Sequence, residues 1–201
     1  MKMWVAAGTA WLAWQSPATA ETVKVNGIEL HYDVSGAGEP LLLLHGFGSC
    51  AAEWAPVANA FAKTYRVIAI DMRGHGRSTN PSGRFTHRQS AEDVRALMDA
   101  LKLPTARAMG FSSGGMTLLQ LATHYPARLS RLVLVSTTTH FPAQARGILR
   151  GVSVAAMPPP VMAIYKSCAT RGEGQVRALV SQFRGFADSR DDMNLAAADL
   201  T

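Results

Sequence analysis

The residues best suited to chemistry are those at 110–114, which read Gly-Phe-Ser-Ser-Gly. An apolar run ends at Met109 and a helical pattern begins near Gly115, so this G-x-S-x-G motif joins a predicted strand to a predicted helix. Small residues beside Ser112 allow a tight, strained turn that exposes its hydroxyl. The N-terminus of the helix directs N–H groups and its positive dipole end to the same place. Ser112 is therefore the candidate nucleophile of an acyl-transfer reaction.

Two further motifs follow apolar runs that are typical of buried parallel strands. Residues 41–44 lead into His-Gly-Phe-Gly at 45–48, and residues 66–70 lead into Asp-Met-Arg-Gly-His-Gly-Arg-Ser at 71–78. Together with the serine turn at 110–114, these motifs resemble the α/β-hydrolase fold superfamily in its serine hydrolase branch. The resemblance implies hydrolysis of a small ester-like acyl substrate through an acyl-serine intermediate, without a cofactor.

The resemblance covers about residues 23–136 and implies how an oxyanion would be bound. In this family two backbone N–H groups stabilise the tetrahedral intermediate, and here they belong to Ser113 and Phe47. The rings of Phe47 and Phe111 would line the site with apolar surface, which favours an uncharged substrate. His45 lies before the Phe47 loop, where the family's histidine is structural. Three residues of the next motif are also expected to support loop architecture: Asp71, Arg73 and His75.

The general acid and base of a catalytic triad are not identified in the chain. In the family the order is serine, then a carboxylate, then a histidine, on loops after later strands. Residues 136–139 contain no carboxylate, and no histidine follows the late aspartates, which are Asp188, Asp191, Asp192 and Asp199. We expect a solvated or structurally hydrogen-bonded ring at the remaining histidines, which are His31, His87, His124 and His140. The sequence therefore predicts a truncated hydrolase whose Ser112 is poorly activated.

Alternating strand and helix patterns predict an α/β fold with a mostly parallel, doubly wound sheet, which is incomplete relative to the family. A hairpin around Asn26-Gly27 begins the predicted core at residues 21–136. The alternation stops after Ser136, and the resemblance to the family implies that residues 137–201 form its helical cap region. The apolar strand at 131–135 would then lie at an exposed edge of the sheet, from which we predict self-association or poor solubility.

The first twenty residues have the pattern of a secretory signal peptide. Lys2 is followed by an apolar stretch that is too short to span a bilayer, and Ala-Thr-Ala at 18–20 predicts cleavage after Ala20. We therefore expect a secreted or periplasmic protein without a membrane anchor. The net charge is +6, but the basic residues are scattered, so nucleic-acid binding is not expected.

The chain contains two cysteines, Cys50 and Cys168. In an oxidising compartment they could form one disulfide, but the sequence does not show whether they approach each other, and we favour two free, buried thiols. No cysteine or histidine pair has metal-ligand spacing, so no metal site is predicted.

Two alternatives to a hydrolase remain open from the sequence. A catalytically silent ligand-binding protein on the same fold would explain the missing triad partners, although such a protein does not require Ser112. Alternatively, a separate chain could supply the acid and the histidine.

Overall fold

The computed structural model describes residues 18–200, so most of the predicted signal segment lies outside the described residues. Within the described range, one sheet contains the strands in the order β1-β2-β4-β3-β5-β6. The strands are β1 (Thr19–Val25), β2 (Ile28–Ser35), β3 (Glu39–Leu44), β4 (Tyr65–Ile70), β5 (Ala106–Phe111) and β6 (Leu129–Val135). The first strand begins before Ala20, so cleavage at the predicted site would remove its first two residues.

The sheet is mostly parallel, as predicted. Strands β3, β4, β5 and β6 pair in parallel, whereas β1–β2 and β2–β4 are antiparallel. The hairpin turn between β1 and β2 has positive φ at both Asn26 and Gly27, with values of 45° and 76°. This turn type matches the twist of the two strands, which explains the Asn-Gly signal.

The helices flank this sheet and then continue after β6. They are α1 (Ala55–Phe61), α2 (His87–Ala100), α3 (Ser113–His124), α4 (Ala143–Arg150), α5 (Pro159–Cys168) and α6 (Glu173–Gly185), and short 3₁₀ turns occupy Ala51–Trp54, Pro126–Arg128 and Ala197–Leu200. Helix α2 begins at His87, because the Thr86 side chain caps it by accepting the Gln89 N–H at 3.0 Å. None of these helices within residues 18–200 combines the length and the apolar composition that crossing a bilayer requires.

The core lies on both faces of the sheet. On β3, Leu42 and Leu44 face the larger apolar cluster, which includes residues of α2 and α3, and Leu41 and Leu43 face the smaller cluster around Trp54. All four leucines are buried, as expected for a central parallel strand. The motif loops that follow β3, β4 and β5 therefore start from the best-packed part of the molecule.

Strand β6 forms one edge of the sheet within the described residues, because it pairs only with β5. Val133, Leu134 and Val135 are 46%, 39% and 40% exposed. The exposed apolar edge that the sequence predicts is therefore present, and self-association through it stays a prediction.

Cys50 and Cys168 form a disulfide, so our expectation of two free thiols was wrong. Their Cα atoms lie 5.6 Å apart although 118 positions separate them along the chain. The buried Tyr165 on α5 packs so closely against Gly48 that a side chain at position 48 would overlap its ring. This contact places the C-terminal end of α5 beside the loop that contains Cys50.

Candidate active site

Ser112 lies in a strained turn between β5 and α3. Its backbone has a φ of 49° and a ψ of −116°, a region that residues other than glycine rarely occupy. The turn is fixed because the Ser112 N–H donates to the Val135 carbonyl at 2.8 Å. A side chain at Gly114 would overlap the Leu44 carbonyl, and one at Gly110 would meet the backbone of Gly114. The strand–turn–helix geometry that the sequence predicts is therefore observed, together with the reason for its small residues.

Ser112 is partly exposed and lies beside the loop at 45–48. A Cβ atom added to Gly46 would lie only 3.7 Å from the Ser112 Cβ. Within residues 18–200, no hydrogen bond joins the Ser112 Oγ to a histidine or a carboxylate. The serine therefore has the exposure and the turn of a nucleophile, without a base beside it in the described part of the chain.

The loop at 45–48 is held by the buried ring of His45, as the resemblance implies. The Nδ1–H of this ring donates to the Gly46 carbonyl at 2.7 Å, and its Nε2 accepts the Met72 N–H at 3.0 Å. Burial lowers the pKa of His45, although the Gly46 carbonyl acts in the opposite direction. A neutral ring with both nitrogens in use fits a structural role.

Phe47 contributes its ring to an aromatic cluster and leaves its amide available. The ring lies 4.5 Å from that of His75, 5.1 Å from those of Phe85 and Phe186, and 5.4 Å from that of Phe183, measured between centroids. Among residues 18–200, neither the Phe47 N–H nor the Ser113 N–H finds a backbone acceptor. Both amides remain free to bind an oxyanion.

The loop at 71–78 is held by hydrogen bonds within itself and to neighbouring segments. Asp71 accepts the backbone N–H of Ala51 at 2.7 Å and that of Arg77 at 2.9 Å, and it also contacts the His31 ring. The buried Arg73 forms a bidentate ion pair with Asp93, with both distances 2.7 Å. The Nδ1 of His75 bonds the Arg73 carbonyl at 3.0 Å, and burial keeps the His75 pKa well below its usual value. These contacts agree with the supporting role expected for Asp71, Arg73 and His75.

The structure also contains a buried Ser–His–Asp chain that the sequence did not predict. The Ser113 Oγ lies 2.7 Å from the His87 Nε2, and the His87 Nδ1 lies 2.7 Å from an Asp192 carboxylate oxygen. Asp192 also accepts the backbone N–H groups of His87 and Arg88, at 2.9 and 3.0 Å. His87 is the first residue of α2.

The electrostatics of this chain favour an ionised Asp192. Burial raises the pKa of this carboxyl, but the hydrogen bond and charge of His87, together with two backbone N–H groups, outweigh that effect and hold the pKa below its ordinary value. No local pattern could reveal this cluster, because His87 is 26 positions from Ser113 and 105 from Asp192.

No metal site is evident in the described range. Among residues 18–200, no three histidine, cysteine, aspartate or glutamate side chains lie close enough together to hold a metal ion.

Known proteins resemble this chain in both sequence and fold. Serine hydrolase BPHL from Homo sapiens is 33% identical over 146 residues, which cover 70% of this chain and 50% of that protein. The enol-lactonase from Burkholderia xenovorans LB400 superposes with a TM-score of 0.67 at 27% identity, covering 86% of this chain and 75% of that chain. A hydrolase from Pseudomonas aeruginosa PA01 gives a TM-score of 0.67 at 27% identity, covering 85% of this chain and 73% of that chain.

The curated relatives are longer than this chain, which spans between 36% and 50% of the length of those it matches. The sequence model of the alpha/beta hydrolase fold matches residues 39–157, a segment that includes all three motif loops and β6. The parallel sheet and the strained serine turn agree with these similarities. The chain therefore belongs to the α/β-hydrolase fold family.

Proposed function

We propose that the chain carries the nucleophile and the oxyanion-binding groups of a serine hydrolase that acts on a small, uncharged ester-like substrate. The observation that supports this most is the strained turn at Ser112, whose free hydroxyl lies beside the loop of Phe47. A non-glycine residue held at positive φ is costly, and such strain persists mainly where function requires it.

In this proposal the Ser112 Oγ attacks the acyl carbon and the carbonyl oxygen becomes an oxyanion. The N–H groups of Phe47 and Ser113 donate hydrogen bonds to that oxyanion. These bonds are stronger to the charged oxygen than to the uncharged carbonyl oxygen of the bound substrate, so they lower the barrier to attack. The tetrahedral intermediate then expels the alcohol and leaves an acyl-Ser112 ester, which water hydrolyses to the acid and free serine. A base must accept the Ser112 proton and return it to the leaving alcohol.

We further propose that this chain reacts slowly by itself. Within residues 18–200, no basic side chain contacts the Ser112 hydroxyl. Loss of the base from a serine triad costs about 10⁴ to 10⁶-fold in kcat. A fluorophosphonate probe should therefore label Ser112 in this chain much more slowly than it labels an intact serine hydrolase.

The test is labelling with a fluorophosphonate, with fragmentation of the labelled peptide at 108–128 to assign the modified serine. We expect the label on Ser112, its loss in Ser112→Ala, and no change in Ser181→Ala, a control at an exposed position on α6. Absence of any label on Ser112, or ester turnover that survives Ser112→Ala, would refute the proposal. Labelling as fast as that of an intact hydrolase would refute the slow reaction alone.

A ligand-binding protein without turnover is the second candidate, and it is favoured because no base lies beside Ser112 in the part of the chain that the structure describes. In that case an uncharged ester would raise the melting temperature equally in the wild type and in Ser112→Ala, and no acid product would form.

We also propose that the protein works outside the cytoplasm. The signal-like residues 1–20 and the Cys50–Cys168 disulfide support this location, because disulfides persist in oxidising compartments. N-terminal sequencing of the protein recovered from the periplasm or the medium should begin at Glu21. Recovery of the full chain from the cytoplasm would contradict this proposal.

A further inference from the structure

We infer that His87, oriented by Asp192, is a positioning residue that fixes Ser113 and, through it, the N–H group that binds the oxyanion. The inference rests on the proposed function, because it assigns a role to a residue beside the proposed nucleophile. The buried chain from Ser113 through His87 to Asp192 carries it.

The bonds to Asp192 determine which protons the ring carries. The Nδ1–H of His87 donates to the carboxylate at 2.7 Å, and the backbone N–H of the same residue donates to the same oxygen at 2.9 Å. With its proton on Nδ1, the ring presents a lone pair at Nε2, which accepts the Ser113 hydroxyl at 2.7 Å. Hydrogen bonds at both ring nitrogens, to Asp192 and to Ser113, also prevent the ring from turning.

The same arrangement could in principle activate Ser113 as a nucleophile. However, Ser113 is only 2% exposed and His87 is fully buried. The aromatic rings of Phe186, Phe85 and Phe141 lie 4.9, 5.4 and 6.3 Å from the His87 ring. A substrate cannot reach this hydroxyl. The hydrogen bonds from Asp192 through His87 therefore orient Ser113 and do not activate it for attack.

The position of Ser113 explains why orienting it affects the site. Its backbone N–H follows directly on the strained residue Ser112, whose own N–H is bonded to the Val135 carbonyl at 2.8 Å. The Ser112 carbonyl, in the same peptide group as the Ser113 N–H, also accepts the Met116 N–H at 3.0 Å, and the Ser113 hydroxyl bond to His87 adds a side-chain anchor beside it. Loss of the His87 bond would leave only backbone bonds to hold this peptide, so its N–H would depart more often from the oxyanion position.

A pair of substitutions separates this role from packing. In His87→Asn the side-chain amide can take the place of Nδ1 and donate to Asp192, but it is too short to reach Ser113. In His87→Gln the longer side chain can take the place of Nε2, so its oxygen can accept the Ser113 hydroxyl. We expect the rate of Ser112 labelling by fluorophosphonate to fall about 10- to 100-fold in His87→Asn. It should stay within about threefold of the wild type in His87→Gln. The control is His124→Gln, because among the described residues the His124 ring makes a single hydrogen bond, to the Gln120 carbonyl of its own helix, and the labelling rate of this variant should be unchanged.

Hydrogen exchange supplies a readout that needs no reaction. The amides at 110–116 should exchange faster in His87→Asn and at the wild-type rate in His87→Gln and His124→Gln. If His87→Asn does not fold, Ser113→Ala replaces it, because this variant removes the hydroxyl and keeps the backbone.

The outcomes distinguish the two proposals. Equal losses of rate and equal exchange in His87→Asn and His87→Gln would overturn the inference, as would a fluorophosphonate label on Ser113. If the wild type is not labelled on Ser112, the proposed function fails, and the exchange at 110–116 still decides whether His87 positions Ser113.

Discussion

Replacing Ser112 with glycine should make the folded protein more stable than replacing it with alanine. At most positions the opposite holds, because glycine gains more conformational freedom on unfolding. Here the backbone φ is 49° and ψ is −116°, and only glycine adopts such angles without steric cost. The Ser112 Oγ makes no hydrogen bond within residues 18–200, so the alanine variant retains the strain and loses no partner.

The expected difference follows from two opposing terms. Strain at a non-glycine residue in this region costs about 1 to 3 kcal/mol. The extra entropy of glycine in the unfolded chain costs about 0.5 to 1 kcal/mol. We therefore expect Ser112→Gly to exceed Ser112→Ala by about 1 kcal/mol in free energy of unfolding. In a domain of this size that corresponds to a rise of about 2 to 4 °C in melting temperature.

The free energy of unfolding of both variants is measured by urea denaturation with the disulfide intact. The comparison requires that this free energy fall with urea concentration at the same slope in both variants. A matched pair at Ser181, an exposed position in α6, should give the opposite sign, with glycine less stable than alanine by about 1 kcal/mol. If glycine is as unfavourable at position 112 as at position 181, the turn is not strained and our reasoning about Ser112 is refuted.

Three other predictions concern the disulfide, the buried carboxylate and the sheet edge. Replacing Cys50 and Cys168 together with serine should lower the free energy of unfolding by about 4 kcal/mol, because the bridge joins residues 118 positions apart, and dithiothreitol should destabilise the wild type but not the variant. The pKa of Asp192 is lowered in the folded state, so the ionised carboxylate stabilises the fold above its unfolded pKa of about 3.9, and this stabilisation is lost as the pH falls through the lower folded pKa. The difference in free energy of unfolding between the wild type and Asp192→Asn, measured by urea titration, should therefore shrink on acidification. A difference that stays constant would contradict this prediction. Val133→Lys should reduce self-association measured by light scattering, whereas Val161→Lys, at a comparably exposed position on α5, should not; association that is unchanged by Val133→Lys would exclude the β6 edge.

The sequence predicts much of this fold, because local patterns determine its elements. The apolar run at 41–44 is long enough for a strand and has no polar face, so it belongs inside a parallel sheet. Asn26-Gly27 predicts the hairpin because it tolerates positive φ. Small residues around Ser112 predict the strained turn for the same kind of reason, since only they fit between β3 and α3.

The parts of the site that the sequence did not predict depend on contacts between distant residues. Ser113, His87 and Asp192 meet only when α2, α3 and the segment after α6 have packed, and no sequence pattern links the motif that contains Ser113 to either of the other two residues. Cys50 and Cys168 are a similar case, because the packing of α5 against the loop at 45–50 decides whether they pair. Residue type reveals which bonds are available, and only tertiary packing reveals which of them form.

These distant contacts share one property, which is that the helical segment after β6 reaches each of the three motif loops. Cys168 is bonded to the end of the loop at 45–50. The Arg171 guanidinium donates to backbone carbonyls of the loop at 71–78, including that of Ser78 at 2.8 Å. Asp192 reaches the serine turn through the ring at the start of α2. The segment after β6 therefore helps to fix the positions of the loops that contain the proposed chemistry.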